Sequence, residues 1–331
     1  MKKEKTMNSY EVVTRALQFK GPDRIPRQLW VLPGAFLQHG QALVELLRRY
    51  PVDINPRALE IPELGPEWRK GTYKDEWGSV WLNLDDGIAG EVKQPAVEEW
   101  SALDRLKPPE IPDFSSSAED ILRRRPDAFV GMVGGQIFER LQYLRGTENL
   151  YMDLMDQSPE LLKLCDIIMD YLYRRVDRCL KAPCHAVQFA DDWGSQRSLL
   201  IDPELWRTFF KPRYAELFKR VHASGKFVFM HSDGYITDII EDLIEIGVDA
   251  LNCQVWCMGP EILGQRFRGR ITFWGELSRQ TTLPNGTPAD VRASVAEMKK
   301  YLSMPNGGLI GQSEVDRMTP LANIEAVLQS W

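Results

Sequence analysis

Residues 227–276 read FVFMHSDGYITDIIEDLIEIGVDALNCQVWCMGPEILGQRFRGRITFWGE. Three short apolar runs lie in this stretch, at 227–230, 248–252 and 271–274. Between them, 236–246 and 260–266 carry apolar residues at helical spacing. Runs this short, without polar alternation, suit strands covered on both faces, and a helix between two such strands makes the connection a parallel crossover.

The same rhythm continues outward. The run 271–274 is followed by a helix at 288–302, and 308–311 by one at 321–331. Upstream, 129–133 precedes helices at 148–155 and 159–181. The run 186–190 precedes a helix that Pro203 opens and that continues past Pro212 to Ser224. That makes six strand–helix pairs. The first half is less regular. Ser9 can cap a helix carrying Val12, Val13, Ala16, Leu17 and Phe19, and Gly21-Pro22-Asp23 stops it. A strand is expected at 25–31, and a helix begins at Ser115 and ends near Arg125. Residues 51–112 are loop-rich, with 78–84 alternating like a strand and 88–95 able to pair with it. Two strands from this half bring the total to eight. The expected fold is α/β: a single (β/α)8 TIM-type barrel over 1–331 with an irregular N-terminal segment. A doubly wound sheet would want a Gly-rich phosphate turn after its first strand, and none stands there.

Composition limits the partners. Forty-one Lys+Arg against 47 Asp+Glu leave a net charge of −6, which gives no electrostatic footing for nucleic acid. No run approaches the ~20 apolar residues that span a bilayer. The basic start Met1-Lys2-Lys3-Glu4-Lys5 has no apolar core behind it, so it does not read as a secretory signal. A cytoplasmic enzyme is expected, with Cys165, Cys179, Cys184, Cys253 and Cys257 as reduced thiols. Cys253 and Cys257 are separated by three residues, but without a second such pair they read as small buried side chains.

In a barrel of this kind the chemistry gathers just past the strands. After 186–190 come Asp191, Asp192, Trp193 and Gln196. After 227–230 come His231, Ser232, Asp233 and Gly234. After 248–252 come Cys253 and Gln254, after 271–274 Gly275 and Glu276, and after 308–311 Gln312, Ser313 and Glu314. One helix cap does not need two adjacent acids, so Asp191 and Asp192 are site candidates. Asp233 can also cap the helix from Ile236. His231 is the one histidine directly after an apolar strand. Glu276, between Gly275 and Leu277, is costly to bury unless a ligand, metal or partner meets it. Glu314 follows the same argument.

The stretches Phe189-Ala190-Asp191-Asp192-Trp193-Gly194-Ser195-Gln196, His231-Ser232-Asp233-Gly234 and Phe273-Trp274-Gly275-Glu276-Leu277 resemble the uroporphyrinogen decarboxylase superfamily. So do Leu283-Pro284-Asn285-Gly286-Thr287-Pro288, Asp75-Glu76-Trp77-Gly78 and Ile137-Phe138-Glu139-Arg140. The resemblance covers nearly the whole chain and implies one (β/α)8 barrel. It offers two chemistries. One branch decarboxylates uroporphyrinogen III without a cofactor, clamping its carboxylates with an Arg-rich N-terminal loop and using an Asp that Asp75 loosely matches. Here the loop reads Gln28-Leu29-Trp30-Val31-Leu32-Pro33-Gly34-Ala35-Phe36, which would leave eight carboxylates unpaired. The other branch moves methyl groups to or from a corrinoid protein with zinc held by His-x-Cys and a distant Cys. Here those places read His231-Ser232-Asp233 and Gln312-Ser313-Glu314, so both thiolates are missing.

The resemblance then implies an oxygen- and nitrogen-rich zinc site from His231, Glu276 and Glu314, with Cys253 as substitute thiolate. The expected activity is demethylation of a small methoxylated or methylated donor, with the methyl group passed to a corrinoid on a separate protein. His231 and Glu276 would hold the metal or protonate the leaving group, with Asp191 and Asp192 orienting the substrate and Asp75 a further catalytic candidate. Trp193, Trp256 and Trp274 would wall an aromatic substrate, and Gln196, Gln254 and Asp233 would touch it. Uroporphyrinogen decarboxylation and a non-catalytic small-molecule-binding barrel are the alternatives, and a homodimer is left open. His231, Glu276 and the Asp191-Asp192 pair are expected to converge on one cavity.

Overall fold

The computed structural model describes residues 6–331, so the basic start 1–5 lies outside the described residues. In chain order the strands are β1 (Arg27–Val31), β2 (Gly71–Lys74), β3 (Val80–Asn83), β4 (Glu91–Gln94), β5 (Gly131–Gly135), β6 (Ala186–Ala190), β7 (Phe227–Ser232), β8 (Ala250–Cys253), β9 (Thr272–Gly275) and β10 (Leu309–Val315). Seven of them form one curled parallel sheet in the order β1-β10-β9-β8-β7-β6-β5. The five runs expected from Ala186 to Gly311 are therefore neighbouring parallel strands. Register sets Ala190 beside His231, and His231 beside Asn252.

The expected eighth strand is absent from this sheet. Between β1 and β5 stands only residues 53–55: the Asp53 amide donates to the Arg27 carbonyl (2.8 Å), the Phe129 amide to Asp53 (2.9 Å) and the Asn55 amide to Phe129 (3.0 Å). Asn55 extends this pairing with its side chain, exchanging two hydrogen bonds with Gly131 (2.9 and 3.0 Å). Buried Asp53 holds the segment in place, accepting from Arg24 at 2.6 and 2.7 Å, from the Ser9 hydroxyl at 2.7 Å and from the Arg27 amide at 2.9 Å. The runs 78–84 and 88–95 do pair as expected, but as part of a separate antiparallel sheet, β2-β3-β4. β4, with Glu91, Lys93 and Gln94 exposed, could not fill a place covered on both faces.

Caps and breaks follow from local chemistry. The first helix, Ser9–Leu17, is capped by Asn8 in a capping box with Glu11; Ser9 instead turns inward to Asp53. The helix Pro33–Arg49, which sequence spacing did not reveal, carries Gly40 in a left-handed conformation that breaks its apolar stripe. Past Pro203, the turn Trp206–Phe210 is π-helical before the helix Lys211–Ala223 resumes. Pro212 has no N–H for the usual bond back to Thr208. On the concave side of the sheet Phe129, Phe229 and Trp274 pack together, with ring centroids 5.8 and 4.9 Å apart, beside Val13, Leu17, Ile54 and Ile310. Among the described residues no helix is long and apolar enough to cross a membrane. All five cysteines are free, and four are buried.

Candidate active site

Two loops form the floor of the site, and glycine lets them meet. The Gly194 amide donates to the Asp233 carbonyl (3.1 Å) and the Tyr235 amide to the Ser195 carbonyl (2.6 Å). Gly234 has φ +82°, and a Cβ there would stand 2.0 Å from the Gly194 oxygen; one on Gly194 would stand 2.5 Å from the Tyr235 nitrogen. Both turns thus need glycine, and their contact brings Asp192 to His231. Gly234→Ala is expected to cost about 3 kcal/mol or more in chemical denaturation, through backbone strain and a backbone clash. A loss under about 0.5 kcal/mol, the range of an ordinary surface change, would show that the two loops are not in contact.

Asp192, His231 and Asp233 each offer one ligand atom, all within 4.8 Å of one another. His231 Nε2 lies 3.4 Å from Asp192 and 3.6 Å from Asp233. Its other nitrogen is assigned by the neighbours. Asn252 Nδ2 lies 2.5 Å from the Trp274 carbonyl, which can only accept, so Asn252 Oδ1 must face His231. His231 Nδ1 therefore carries the proton, at 2.5 Å, and Nε2 is turned toward the two carboxylates. Burial opposes a charge on His231, but Asp192, Asp233 and Glu276 prevail and push its pKa up to about 10. Burial would likewise raise Asp192, but His231, the Asp233 amide and Arg279 carry it below the usual carboxylate range.

The expected ligands Glu276, Glu314 and Cys253 are not part of this group. Arg279 sits among the acids instead: it pairs with Asp233, with Glu314 at 2.7 Å and with Glu276 at 3.2 Å. A guanidinium with five donors meets three carboxylates where a metal ion was expected. Glu276 is 2% exposed, and its Oε2 has no hydrogen-bond partner among the described residues. Burial pushes its pKa up to about 7, against the pull of Arg279. Cys253 is wholly buried in the core, where burial lifts its thiol well above the ordinary range.

Asp191 turns away from His231. Its oxygens accept from the amides of Ile137 (3.0 Å), Phe138 (2.8 Å) and Glu139 (2.8 Å), and from the Tyr214 hydroxyl. It thus anchors the start of the helix Phe138–Arg145, placing a negative charge where helix amides are unpaired. Burial pushes its pKa up to about 6 in spite of those four donors. The helix start in turn presents Glu139, whose carboxyl accepts from the Tyr143 hydroxyl at 2.5 Å. Burial first, then Asp192 and Asp191, push Glu139 up to about 8.

The remaining candidates divide. Trp193 is wholly buried, edge-on to Trp206 and Tyr214, and Trp274 is wholly buried with its Nε1 donating to Gln28 (2.8 Å). Both are core residues, and neither walls a substrate. Trp30 is the tryptophan that stands beside His231, its ring 5.4 Å away. Trp256 donates to the Glu276 carbonyl (3.1 Å). Gln196 and Gln254 meet, at 2.7 Å. Asp75 lies apart from the His231 group, in the wall of a cavity of about 800 Å³ between the small sheet and the helix Phe138–Arg145. Its oxygens accept from the amides of Trp77 (3.0 Å) and Ser79 (2.8 Å) and from Trp81 Nε1 (2.9 Å), so it sets a turn and orients a tryptophan. Sequence reading gave no role to Arg279, Asn252, Glu139 or Tyr143. Arg279 stands three residues after Glu276, a spacing at which acid and base meet, and Asn252 is a polar residue inside an apolar run; both were visible signals.

A curled parallel sheet with its polar cluster just past the strands defines the protein as an α/β chain of barrel-like build with a strand-end site. The chain belongs to the uroporphyrinogen decarboxylase (URO-D) family, whose model matches residues 79–330. A methyltransferase from Methanosarcina mazei has a similar fold, with a TM-score of 0.72 over 98% of both chains at 14% identity. The B12-independent methionine synthase from Shewanella sp. W3-18-1, solved in complex with selenomethionine, gives 0.51 over 94% of both chains at 12% identity. At these identities the likeness is one of fold. No curated protein sequence matches the chain.

Proposed function

We propose that the protein is a methyltransferase that removes a methyl group from a small methoxylated or methylated donor and passes it to the cobalt of a separate corrinoid protein. The observation that carries this is the convergence of Asp192, His231 and Asp233 within 4.8 Å. The methyltransferase fold of the Methanosarcina mazei protein supports it. We read the sheet with its 53–55 bridge as a (β/α)8-type barrel and the chain as one domain.

One imidazole nitrogen and two carboxylates suit zinc or a similar divalent ion, which would bind by displacing the Nε2 proton that the two carboxylates otherwise hold on His231, and Asn252 on Nδ1 is the outer partner that a ligating histidine requires. Asp192, His231 and Asp233 would hold the ion, which would supply Lewis acidity toward the oxygen or nitrogen bearing the methyl group. The chain's own groups do the rest. Arg279 fixes Asp233. Trp30 closes the side of His231 and keeps water from it. Glu139, kept protonated at neutral pH, donates its proton to the oxygen or nitrogen that the methyl group leaves, and Tyr143 holds its other oxygen.

Activity should therefore fall as pH rises through about 8, where Glu139 ionises. Glu139→Gln should lower turnover about 100-fold or more and flatten that limb. The same shift has a stability consequence. A carboxyl whose folded pKa is raised stabilises least once pH passes that value, so wild-type stability should decline between the ordinary glutamate range and about 8. In Glu139→Gln that decline should be missing, whatever the activity.

The reading is tested by following methylcobalamin formation from cob(I)alamin and a panel of O- and N-methyl donors, with uroporphyrinogen III assayed anaerobically alongside. Protein-dependent methylation of the cobalamin supports it. Steady formation of coproporphyrinogen would replace it with the decarboxylase reading, which the apolar stretch Leu32 to Phe36 and the full pairing of Arg279 disfavour.

A further inference from the structure

On the convex side of the sheet, away from His231, the chain leaves an apolar opening. Side chains alternate along β1: Gln28 and Trp30 turn inward, while Leu29 and Val31 face outward among the side chains of the helix Pro33–Arg49. Between these two residues, Leu47 near the end of that helix, and the segment 50–59 lies a cleft of about 110 Å³. Val52, Pro56 and Leu59 form its far wall, and Leu59 is 44% exposed. Among the described residues the lining carries three arginines, Arg48, Arg57 and Arg125, and no acid. In a chain of net charge −6, that is positive charge without a local answer.

The three guanidiniums are unequally used. Arg125 is paired with Asp127 (3.2 Å) and donates to the Ser9 hydroxyl (3.1 Å). At the helix end Glu325 is taken by Arg49 (3.2 Å) and by the Tyr50 hydroxyl (3.3 Å), which leaves Arg48 without an acceptor among the described residues. Arg57 donates from Nη1 to the Val31 carbonyl (2.5 Å) and lies 5.3 Å over the Phe36 ring. Its position is thus fixed, while the rest of its fork is open to solvent. Partial burial lowers its pKa, and no carboxylate among the described residues stands near enough to raise it.

Apolar walls call for hydrocarbon, and a fixed guanidinium at their edge calls for a planar anion. The walls are Leu, Val and Pro, with Tyr50 the one ring, so they suit an alkyl chain better than a flat one. There is room for about four methylene-sized groups, at roughly 30 Å³ each. We propose that this cleft binds a short aliphatic carboxylate, its chain against Leu29, Val52 and Leu59 and its carboxylate on Arg57. Because β1 stands between the cleft and His231, the ligand is not the methyl donor, and the site is independent of the function proposed above.

NMR titration of the whole protein with pentanoate tests this without metal or turnover. Pentanoate should bind about tenfold or more tightly than pentanamide, which lacks the charge, and than acetate, which lacks the chain. Arg57→Gln should cost pentanoate about tenfold or more and leave pentanamide unchanged, so the amide reports an intact cleft. Leu59→Asn should weaken both five-carbon ligands and leave acetate as it was. His231→Ala should bind pentanoate as wild type does. Equal binding of pentanoate and pentanamide, full affinity in Arg57→Gln, or inorganic phosphate bound as tightly as pentanoate would each overturn the proposal. So would loss of pentanoate binding in His231→Ala, which would put the ligand in the site past the strands.

Discussion

On the proposed function, replacing His231 by alanine is expected to lower methyl transfer at least a thousandfold and to abolish divalent-ion binding. His231 supplies the one nitrogen of the cluster, and its Nε2 faces both carboxylates. Without it, Asp192 and Asp233 face each other across a space with no charge between them. The fold should survive. The lost hydrogen bond to Asn252 costs about 1–3 kcal/mol, because the Asn252 oxygen is left buried without a donor. His231→Gln, which can refill that bond, should regain stability and not activity. A variant that keeps turnover within tenfold of wild type would remove His231 from the chemistry.

The second large effect is expected at Arg279, where alanine should destabilise the protein by about 3–5 kcal/mol at neutral pH. The guanidinium is the shared partner of Asp233, Glu276 and Glu314, and Glu276 is 2% exposed. Removing it leaves three acids facing one another, one of them deeply buried. Burial already pushes Glu276 up to about 7, so in the variant it should take a proton. The penalty should accordingly shrink as pH falls and the acids are neutralised. Adding Glu276→Gln to Arg279→Ala should restore part of the stability at pH 7. If Arg279→Ala unfolds at the same urea concentration as wild type, the cluster is solvated, contrary to the geometry.

The regular half of the fold was legible because short apolar runs and helical spacing alternate there without interruption. The five runs from Ala186 to Gly311 lie side by side in one sheet, where periodicity put them. The first half was harder for physical reasons. Residues 53–55 are too short to show a strand pattern, and their pairing depends on the Asn55 side chain and the ion pair of Asp53 with Arg24. The helix Pro33–Arg49 is broken by Gly40, so no single apolar stripe runs along it.

The site shows the same division. Strand-end position alone singled out His231, Asp192 and Asp233 as candidates, and the fold brings them within 4.8 Å of one another, although the expected metal ligands beside His231 were Glu276, Glu314 and Cys253. It could not separate Asp192 from Asp191, because adjacent residues leave a strand end in opposite directions and only the helix start at Ile137 explains where Asp191 points. Nor could it show Glu276 and Glu314 sharing one guanidinium, since their partner Arg279 lies in the loop beyond the strand. Trp193 and Trp274 looked like substrate walls because the sequence shows that an aromatic ends a strand, not which face it takes. Both turn inward, and Trp30, on a strand distant in sequence, stands beside His231 instead.

The central claim is that Asp192, His231 and Asp233 form a metal centre. Elemental analysis of wild type and His231→Ala, purified side by side and dialysed against trace zinc, tests it most directly. About one zinc per wild-type chain and close to none in the variant is the expected result. Wild-type protein without metal, or a variant that retains the full complement, would contradict it.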